Sequence, residues 1–290
     1  MIYLIMPEEK TLELKDGSGK LSYTDNGGEG TPIILIHGFP LNQKIWESQV
    51  DALNKAGRRV ITYDMRGFGK SSDPKGLYSH EEDLKQLIDG LSINECHLVG
   101  MSFGGEIATS FTVSNPQYVK ELTLIGSGIN GYSPKEHAPF QEWTKMVLDG
   151  NLKGVIAQIL DYGELGKMKT AKPELHAQIS KIVQEFNGSM FFRGCKRETP
   201  NPPIIGRLGE IKCKTNVIVG LDDSYDSLEQ TRELATKIPN SNLELADGIG
   251  HFVNMERPGI VNDIIFRSEV KKEQEPIKPE EEITYGMLMK

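Results

Sequence analysis

The sequence predicts an α/β protein, a doubly wound and mostly parallel sheet into which a block of helices is inserted. Three observations carry this reading. Continuous apolar runs such as Ile33-Ile34-Leu35-Ile36 recur along the chain, the pattern of strands covered on both faces. Segments with apolar residues at helical spacing alternate with those runs, and such alternation builds a parallel sheet with helices on both sides. Between Gly128 and about Leu208 the alternation stops, and every apolar set there is helical.

Taken in order, Thr11 to Leu14 and Leu21 to Thr24, with Asp16-Gly17 between them, read as a hairpin closed by a turn. The strand Ile33 to Ile36 is followed by a helix through Trp46, Val50 and Leu53, then a strand from Arg59 to Tyr63. Ser79 with Glu82 forms a capping box, and Leu84, Leu87, Ile88 and Leu91 make the apolar face of the helix behind it. A strand His97 to Val99, a helix carrying Ile107, Ala108 and Phe111, and a strand Leu122 to Ile125 continue the rhythm. The inserted block holds three helical sets: Phe140, Trp143, Val147; Leu152, Val155, Ile156, Ile159; and Leu175, Ile179, Ile182, Phe186. Pro200, Pro202 and Pro203 mark its exit. Alternation resumes with Asn216 to Val219, a helix Leu228 to Ile238, a strand Leu243 to Ala246, and a last helix with Ile260, Val261, Ile264 and Ile265. This divides the chain into a core of residues 1–128 and 209–267, a helical cap at 129–208, and a Glu- and Lys-rich extension at 268–290. The extension reads as solvated chain rather than a docking segment, although it ends in the apolar stretch Ile283 to Met289.

Composition narrows the partners. With 290 residues, 38% hydrophobic and 26% charged, the chain can bury a sizeable core. A net charge of -8 without a basic stripe argues against nucleic acid. No run reaches the length of a transmembrane helix, and the apolar start Met1 to Met6 is too short and uncharged for a signal peptide. Cys96, Cys195 and Cys213 are odd in number and widely spaced, which suits a reducing, cytoplasmic location and buried thiols. No Cys/His spacing points to a metal, so no metal or cofactor is expected.

Chemistry is expected around Gly100-Met101-Ser102-Phe103-Gly104-Gly105. An apolar strand stops at a glycine, turns through one serine and enters a helix, the G-x-S-x-G context of a nucleophile elbow. Glycines flank such a serine because a sharp, strained turn leaves no room for side chains. In open parallel sheets, reactive groups collect beyond the carboxyl ends of the strands. Those positions hold His37-Gly38-Phe39-Pro40, Gly220-Leu221-Asp222-Asp223, and Asp247-Gly248-Ile249-Gly250-His251-Phe252. The order nucleophile, acid, histidine is that of one serine-hydrolase arrangement among three.

Four motifs now carry a resemblance: His37 to Pro40; Tyr63-Asp64-Met65-Arg66-Gly67-Phe68-Gly69-Lys70-Ser71-Ser72; Gly100 to Gly105; and Gly248 to Phe252 with Glu256-Arg257-Pro258. Together they resemble the α/β-hydrolase fold family over roughly residues 11 to 130 and 212 to 267. The first half looks closest to small-molecule esterases, enol-lactonases and cofactor-free perhydrolases.

The resemblance implies a triad of Ser102 as nucleophile, His251 as base and Asp223 as the acid, with Asp222 and Asp226 as rivals for the last role. Asp223 stands three residues past Gly220, where the family places its acid. The resemblance also implies an oxyanion hole from the Phe39 and Phe103 N–H groups, the latter at a helix N-terminus. His37, Phe140 and Trp143 are candidate pocket residues. His37 also has a structural reading as a brace of the oxyanion loop, and Phe140, Trp143 and Met146 as the buried face of the cap. Arg66 and Asp64 read as braces of the turn after their strand, and His80, His97, His137 and His176 receive no role. The expected activity is hydrolysis of a small or medium carboxylic ester. A carbon–carbon bond hydrolase, lactonase or perhydrolase on the same triad is the alternative, and a non-catalytic ligand receptor or scaffold is the alternative from another class. The expected partner is a small acyl substrate; oligomeric state is left open.

Overall fold

The computed structural model describes residues 7–267 except Asp16, Glu136 and Arg193. The expectations for Met1 to Met6, for Asp16 in the first turn and for the 268–290 extension lie outside the described residues.

The strands β1 (Glu9–Glu13) and β2 (Lys20–Asp25) form the expected antiparallel hairpin. They lead into β3 (Glu29–Ile36), α1 (Glu47–Lys55), β4 (Arg58–Tyr63), β5 (Leu77–Tyr78), α2 (His80–Gly90), β6 (Cys96–Met101), α3 (Phe103–Ser114) and β7 (Val119–Ile125). The inserted segment holds α4 (Phe140–Leu148), α5 (Leu152–Asp161), α6 (Gly163–Ala171), α7 (Pro173–Val183) and β8 (Lys196–Arg197). The sheet resumes with β9 (Lys214–Gly220), α8 (Tyr225–Lys237), β10 (Ser241–Ala246), α9 (Val253–Glu256) and α10 (Pro258–Arg267).

Eight strands form one sheet in the order β1-β2-β4-β3-β6-β7-β9-β10. Strand β2 runs antiparallel to its neighbours β1 and β4, and the remaining pairings are parallel. The central strands are apolar throughout because helices cover both faces: Ile34, Leu35, Leu98, Val99 and Leu122 are fully buried. This layering brings the ends of β3, β6, β9 and β10 to one edge of the sheet, where the sequence placed its reactive loops. Helix α2 begins as expected, with the Ser79 hydroxyl accepting from the Glu82 N–H at 3.2 Å.

Three features differ from the sequence expectation. Helix α6 lacks a periodic apolar set: Gly163 and Gly166 break its pattern, and only Leu165 and Met168 are buried. The inserted block is not wholly helical, since β8 pairs in parallel with β5 and ties the exit of the insertion to the core. Strand β10 occurs where expected, but as the last strand of the sheet it leaves Leu243 and Leu245 over two-fifths exposed.

Two histidines in this frame give a stability prediction. His37 and His97 are buried, and burial pushes each down to about 4, in His37 against a modest opposing contact with the Gly38 carbonyl. In the unfolded chain both titrate near the ordinary histidine value of about 6.5. Between those values the unfolded state binds more protons, so stability is full above the ordinary value and falls as pH drops toward 4. The loss is at most about 3 kcal/mol for each. Thermal unfolding across this range will show a falling Tm with acidification, and His97→Gln will flatten part of that slope.

Candidate active site

Ser102 sits between β6 and α3 with φ 53° and ψ -117°, a conformation that side chains other than glycine rarely adopt. Such strain costs on the order of 1–3 kcal/mol and persists only where the surroundings over-determine it. Here the Ser102 N–H donates to the Ile125 carbonyl at 2.9 Å, and its own carbonyl accepts from Gly105, Glu106 and Gly128. The flanking glycines are sterically required. A Cβ at Gly100 would lie 2.5 Å from the Gly104 oxygen, and one at Gly104 would lie 2.3 Å from the Ile36 oxygen.

The loop after β9 carries Asp223 and the loop after β10 carries His251. Their side chains meet, with His251 Nδ1 2.8 Å from Asp223 Oδ2. Asp223 is buried and also accepts from the Ser227 hydroxyl at 2.6 Å and the Ser224 amide at 2.6 Å. Burial raises its carboxyl, but the charge and hydrogen bond of His251 with these donors outweigh it, leaving Asp223 below the usual carboxylate range. For His251, burial opposes protonation, while Asp223, then Glu164 and Glu256, favour it; the net shift is upward. Gly126 (φ +49°) permits this approach: a Cβ there would stand 3.1 Å from His251 Nδ1 and 3.2 Å from Asp223 Oδ2. Among the described residues, neither rival carboxylate is hydrogen-bonded to His251. Asp222 is exposed, and Asp226 accepts from the Tyr132 hydroxyl and the Lys135 amide.

Ser102, Asp223 and His251 line one cleft of about 580 Å³. Among the described residues no hydrogen bond joins Ser102 to His251, a link that commonly tightens only with substrate bound. The Gly38 backbone packs against the serine, since a Cβ at Gly38 would lie 3.1 Å from Ser102 Cβ. Neither the Phe39 nor the Phe103 N–H has an acceptor among the described residues, and Phe103 opens α3, where the helix dipole adds positive character. A serine hydroxyl and an oriented imidazole lining one cleft, with the open Phe39 amide on its wall and the open Phe103 amide next to Ser102 in the chain, can carry out acyl transfer.

His37 does not line this cleft, which corrects its assignment as a pocket residue. Its ring is fully buried, with Nε2 accepting from the Met65 amide at 3.0 Å and Nδ1 donating to the Gly38 carbonyl at 2.9 Å. It is a brace between the loops after β3 and β4. Asp64 braces the same region, accepting from the Gln43 and Lys70 amides, while Arg66 pairs with the buried Asp83. Phe140 and Trp143 do line the cleft. Trp143 is buried with its Nε1 donating to Gln158, whereas Phe140 is 44% exposed, and both pack on the Phe39 ring.

Glu164 and Lys167, from the unanticipated helix α6, also line the cleft and pair with each other at 2.7 Å. Arg197 of β8 binds Glu106 at 2.8 Å and Glu81 at 3.1 Å, and its guanidinium stands 4.6 Å from the Phe103 ring centre. The insertion's exit thus packs on the elbow helix. No local motif announces these residues: Glu164 and Lys167 lie on a helix without an apolar period, and the partners of Arg197 are remote in sequence.

The sequence model of the alpha/beta hydrolase fold matches residues 31–153. A non-heme chloroperoxidase candidate from Synechocystis sp. is 30% identical over 257 residues, covering 84% of this chain and 93% of the relative. The chain belongs to the alpha/beta hydrolase family. A 2-hydroxy-6-oxononadienedioate/2-hydroxy-6-oxononatrienedioate hydrolase from Paraburkholderia phymatum is also 30% identical, over 85% of this chain and 90% of its own length. A thermophilic esterase structure from Thermogutta terrifontis superposes with a TM-score of 0.75 at 24% identity, covering 90% of this chain and 97% of the esterase, and supports the fold. This member of the family is accordingly an enzyme of the hydrolase class. No helix among its described residues is long and apolar enough to cross a membrane.

Proposed function

We propose that this hydrolase cleaves an uncharged carboxylic ester of small or medium size through an acyl-serine intermediate. The observation that carries the proposal is the hydrogen-bonded Asp223–His251 pair facing the same cleft as the strained Ser102. Ser102 Oγ attacks the ester carbonyl while His251 Nε2 takes its proton. Asp223 holds the Nδ1–H tautomer and stabilises the imidazolium. The negative oxygen of the tetrahedral intermediate lies between the Phe39 and Phe103 amides. The alkoxide leaves with the proton from His251, and water attacks the acyl group by the same steps in reverse.

Phe39, Phe140, Trp143, Ile159 and Leu165 form an apolar and aromatic wall suited to an acyl chain or ring. The charged lining supports a neutral substrate. Lys167 is already paired with Glu164, and Asp223 and Asp226 add negative charge, so a dicarboxylate would meet net repulsion. Cleavage of a carbon–carbon bond is the second reading, favoured by the likeness to the Paraburkholderia relative, which is named for an oxo-acid substrate and not for an ester. We place the enzyme in a reducing, cytoplasmic compartment because Cys96, Cys195 and Cys213 are all free thiols.

The test combines turnover of p-nitrophenyl acetate and butyrate with labelling by a serine-directed fluorophosphonate. Both are expected. Labelling without ester turnover would move the assignment to the second reading, and the absence of both would end it. The rate profile supplies a further check. His251 must be neutral to accept the proton and its pKa is raised by Asp223, so kcat/KM will fall on the acid side at a pH above the ordinary histidine value.

A further inference from the structure

Glu256 was singled out by its motif but takes no part in the chemistry above. Its side chain is almost fully buried beneath the histidine loop. It accepts from the Gly250 amide at 3.1 and 3.2 Å and from the Phe252 amide at 3.2 Å, the residues on either side of His251. The same carboxylate forms an ion pair with Lys172, which joins α6 to α7 in the insertion, and Lys172 Nζ also donates to the Gly248 carbonyl at 3.2 Å. Glu164 of α6 comes within 3.6 Å of where a Gly250 Cβ would stand, the same position that Glu256 approaches at 3.2 Å. The loop of His251 is therefore held from the core by Glu256 and from the insertion by Lys172.

We propose that Lys172 and Glu256 form a clasp through which the inserted helices hold the catalytic histidine in register, with both as positioning residues. The inference rests on the function proposed above. A buried carboxylate that has lost its cation draws in water or releases its donors, and here the donors are the amides that set the direction of the His251 ring. Displacing a catalytic base by about 1 Å can cost up to two orders of magnitude in rate. Seating of the insertion over the cleft and placement of the base thus become one event. Closing the substrate wall formed by Phe140, Trp143 and Leu165 also completes the catalytic geometry.

The charges around His251 make the role distinguishable from simple structural support. Asp223 faces it from the loop after β9, Glu164 from α6 and Glu256 from α9, with Lys167 and Lys172 paired to the last two carboxylates. Removing Lys172 leaves the Glu256 charge uncompensated beside the imidazole and moves the acid limb of kcat/KM to higher pH. Removing the Glu256 charge moves it to lower pH. A loss of packing alone would not move the limb in opposite directions in the two variants.

The experiment uses the full chain carrying Lys172→Met, Lys172→Arg or Glu256→Gln. In Lys172→Met, hydrogen exchange of a peptide covering 248–252 should accelerate roughly tenfold. Its kcat on p-nitrophenyl butyrate should fall about tenfold with KM nearly unchanged, and its acid limb should rise. Lys172→Arg should restore all three, and Glu256→Gln should accelerate exchange while lowering the limb. Exchange at the wild-type rate in Lys172→Met, or acid limbs moving the same way in both variants, would overturn the clasp. If the wild-type protein turns over no ester, the proposed function fails instead, and the exchange measurement still decides the clasp.

Discussion

Ser102→Ala is expected to lower kcat on p-nitrophenyl butyrate by roughly 10⁵–10⁶-fold and to abolish fluorophosphonate labelling. In the proposed mechanism the hydroxyl forms the covalent bond to the acyl group, and neither His251 nor water can replace it in that step. The amides of Phe39 and Phe103 remain in the variant, so a residual rate above that of water should persist. The fold should tolerate the change. Ser102 is held at φ 53° by backbone hydrogen bonds, its N–H donating to Ile125 and its carbonyl accepting from Gly105, Glu106 and Gly128, and alanine keeps every one of them. Thermal unfolding of Ser102→Ala within a few degrees of wild type, beside lost activity, would place the defect in chemistry. A variant that still turns over esters at more than about a hundredth of the wild-type rate would exclude Ser102 as the nucleophile.

That serine was legible because its constraint is steric. A residue forced to positive φ between a strand and a helix excludes Cβ atoms around it, and the exclusion is written as Gly100, Gly104 and Gly105. The loops bearing Asp223 and His251 were legible for a topological reason, since a parallel sheet sends its strand ends to one edge. The choice of Asp223 over Asp222 and Asp226 rests in the sequence on the family's spacing after Gly220, and not on the residues themselves. Three carboxylates within five residues look alike until the turn after β9 aims one inward, exposes another and gives the third to Tyr132 and Lys135.

The remaining features depend on contacts between residues far apart in the chain. Helix α6 leaves no periodic mark in the sequence because two glycines break its apolar period, yet it supplies Glu164 and Lys167 to the cleft wall. Lys172 and Glu256 meet 84 residues apart, and Arg197 reaches Glu81 over 116. A two-residue pair such as β5 with β8 is too short to show any periodicity. His37 followed its motif to the right loop but not to the cleft, because both ring nitrogens are taken up by backbone partners. The specificity wall was accordingly less visible than the reaction centre.

The second large effect is expected at Asp223. Asp223→Asn should lower kcat by about 10⁴-fold, the size typical when a triad acid loses its charge and the imidazole loses its tautomer. Asparagine can turn its amide nitrogen toward His251 Nδ1, which favours the proton on Nε2, where it blocks removal of the Ser102 proton. The lost charge has a separate signature. Asp223 is the main group raising the His251 pKa against burial, so the acid limb of the residual kcat/KM should move to lower pH in Asp223→Asn. Asp226→Asn provides the comparison, because its side-chain oxygen can still accept from the Lys135 amide and it does not touch the imidazole. Its kcat should stay within about threefold of wild type, with the acid limb in place. If Asp226→Asn proved the more damaging variant, or if the acid limb of Asp223→Asn stayed at its wild-type position, the hydrogen bond at 2.8 Å would be a structural contact and the acid of the reaction would lie elsewhere.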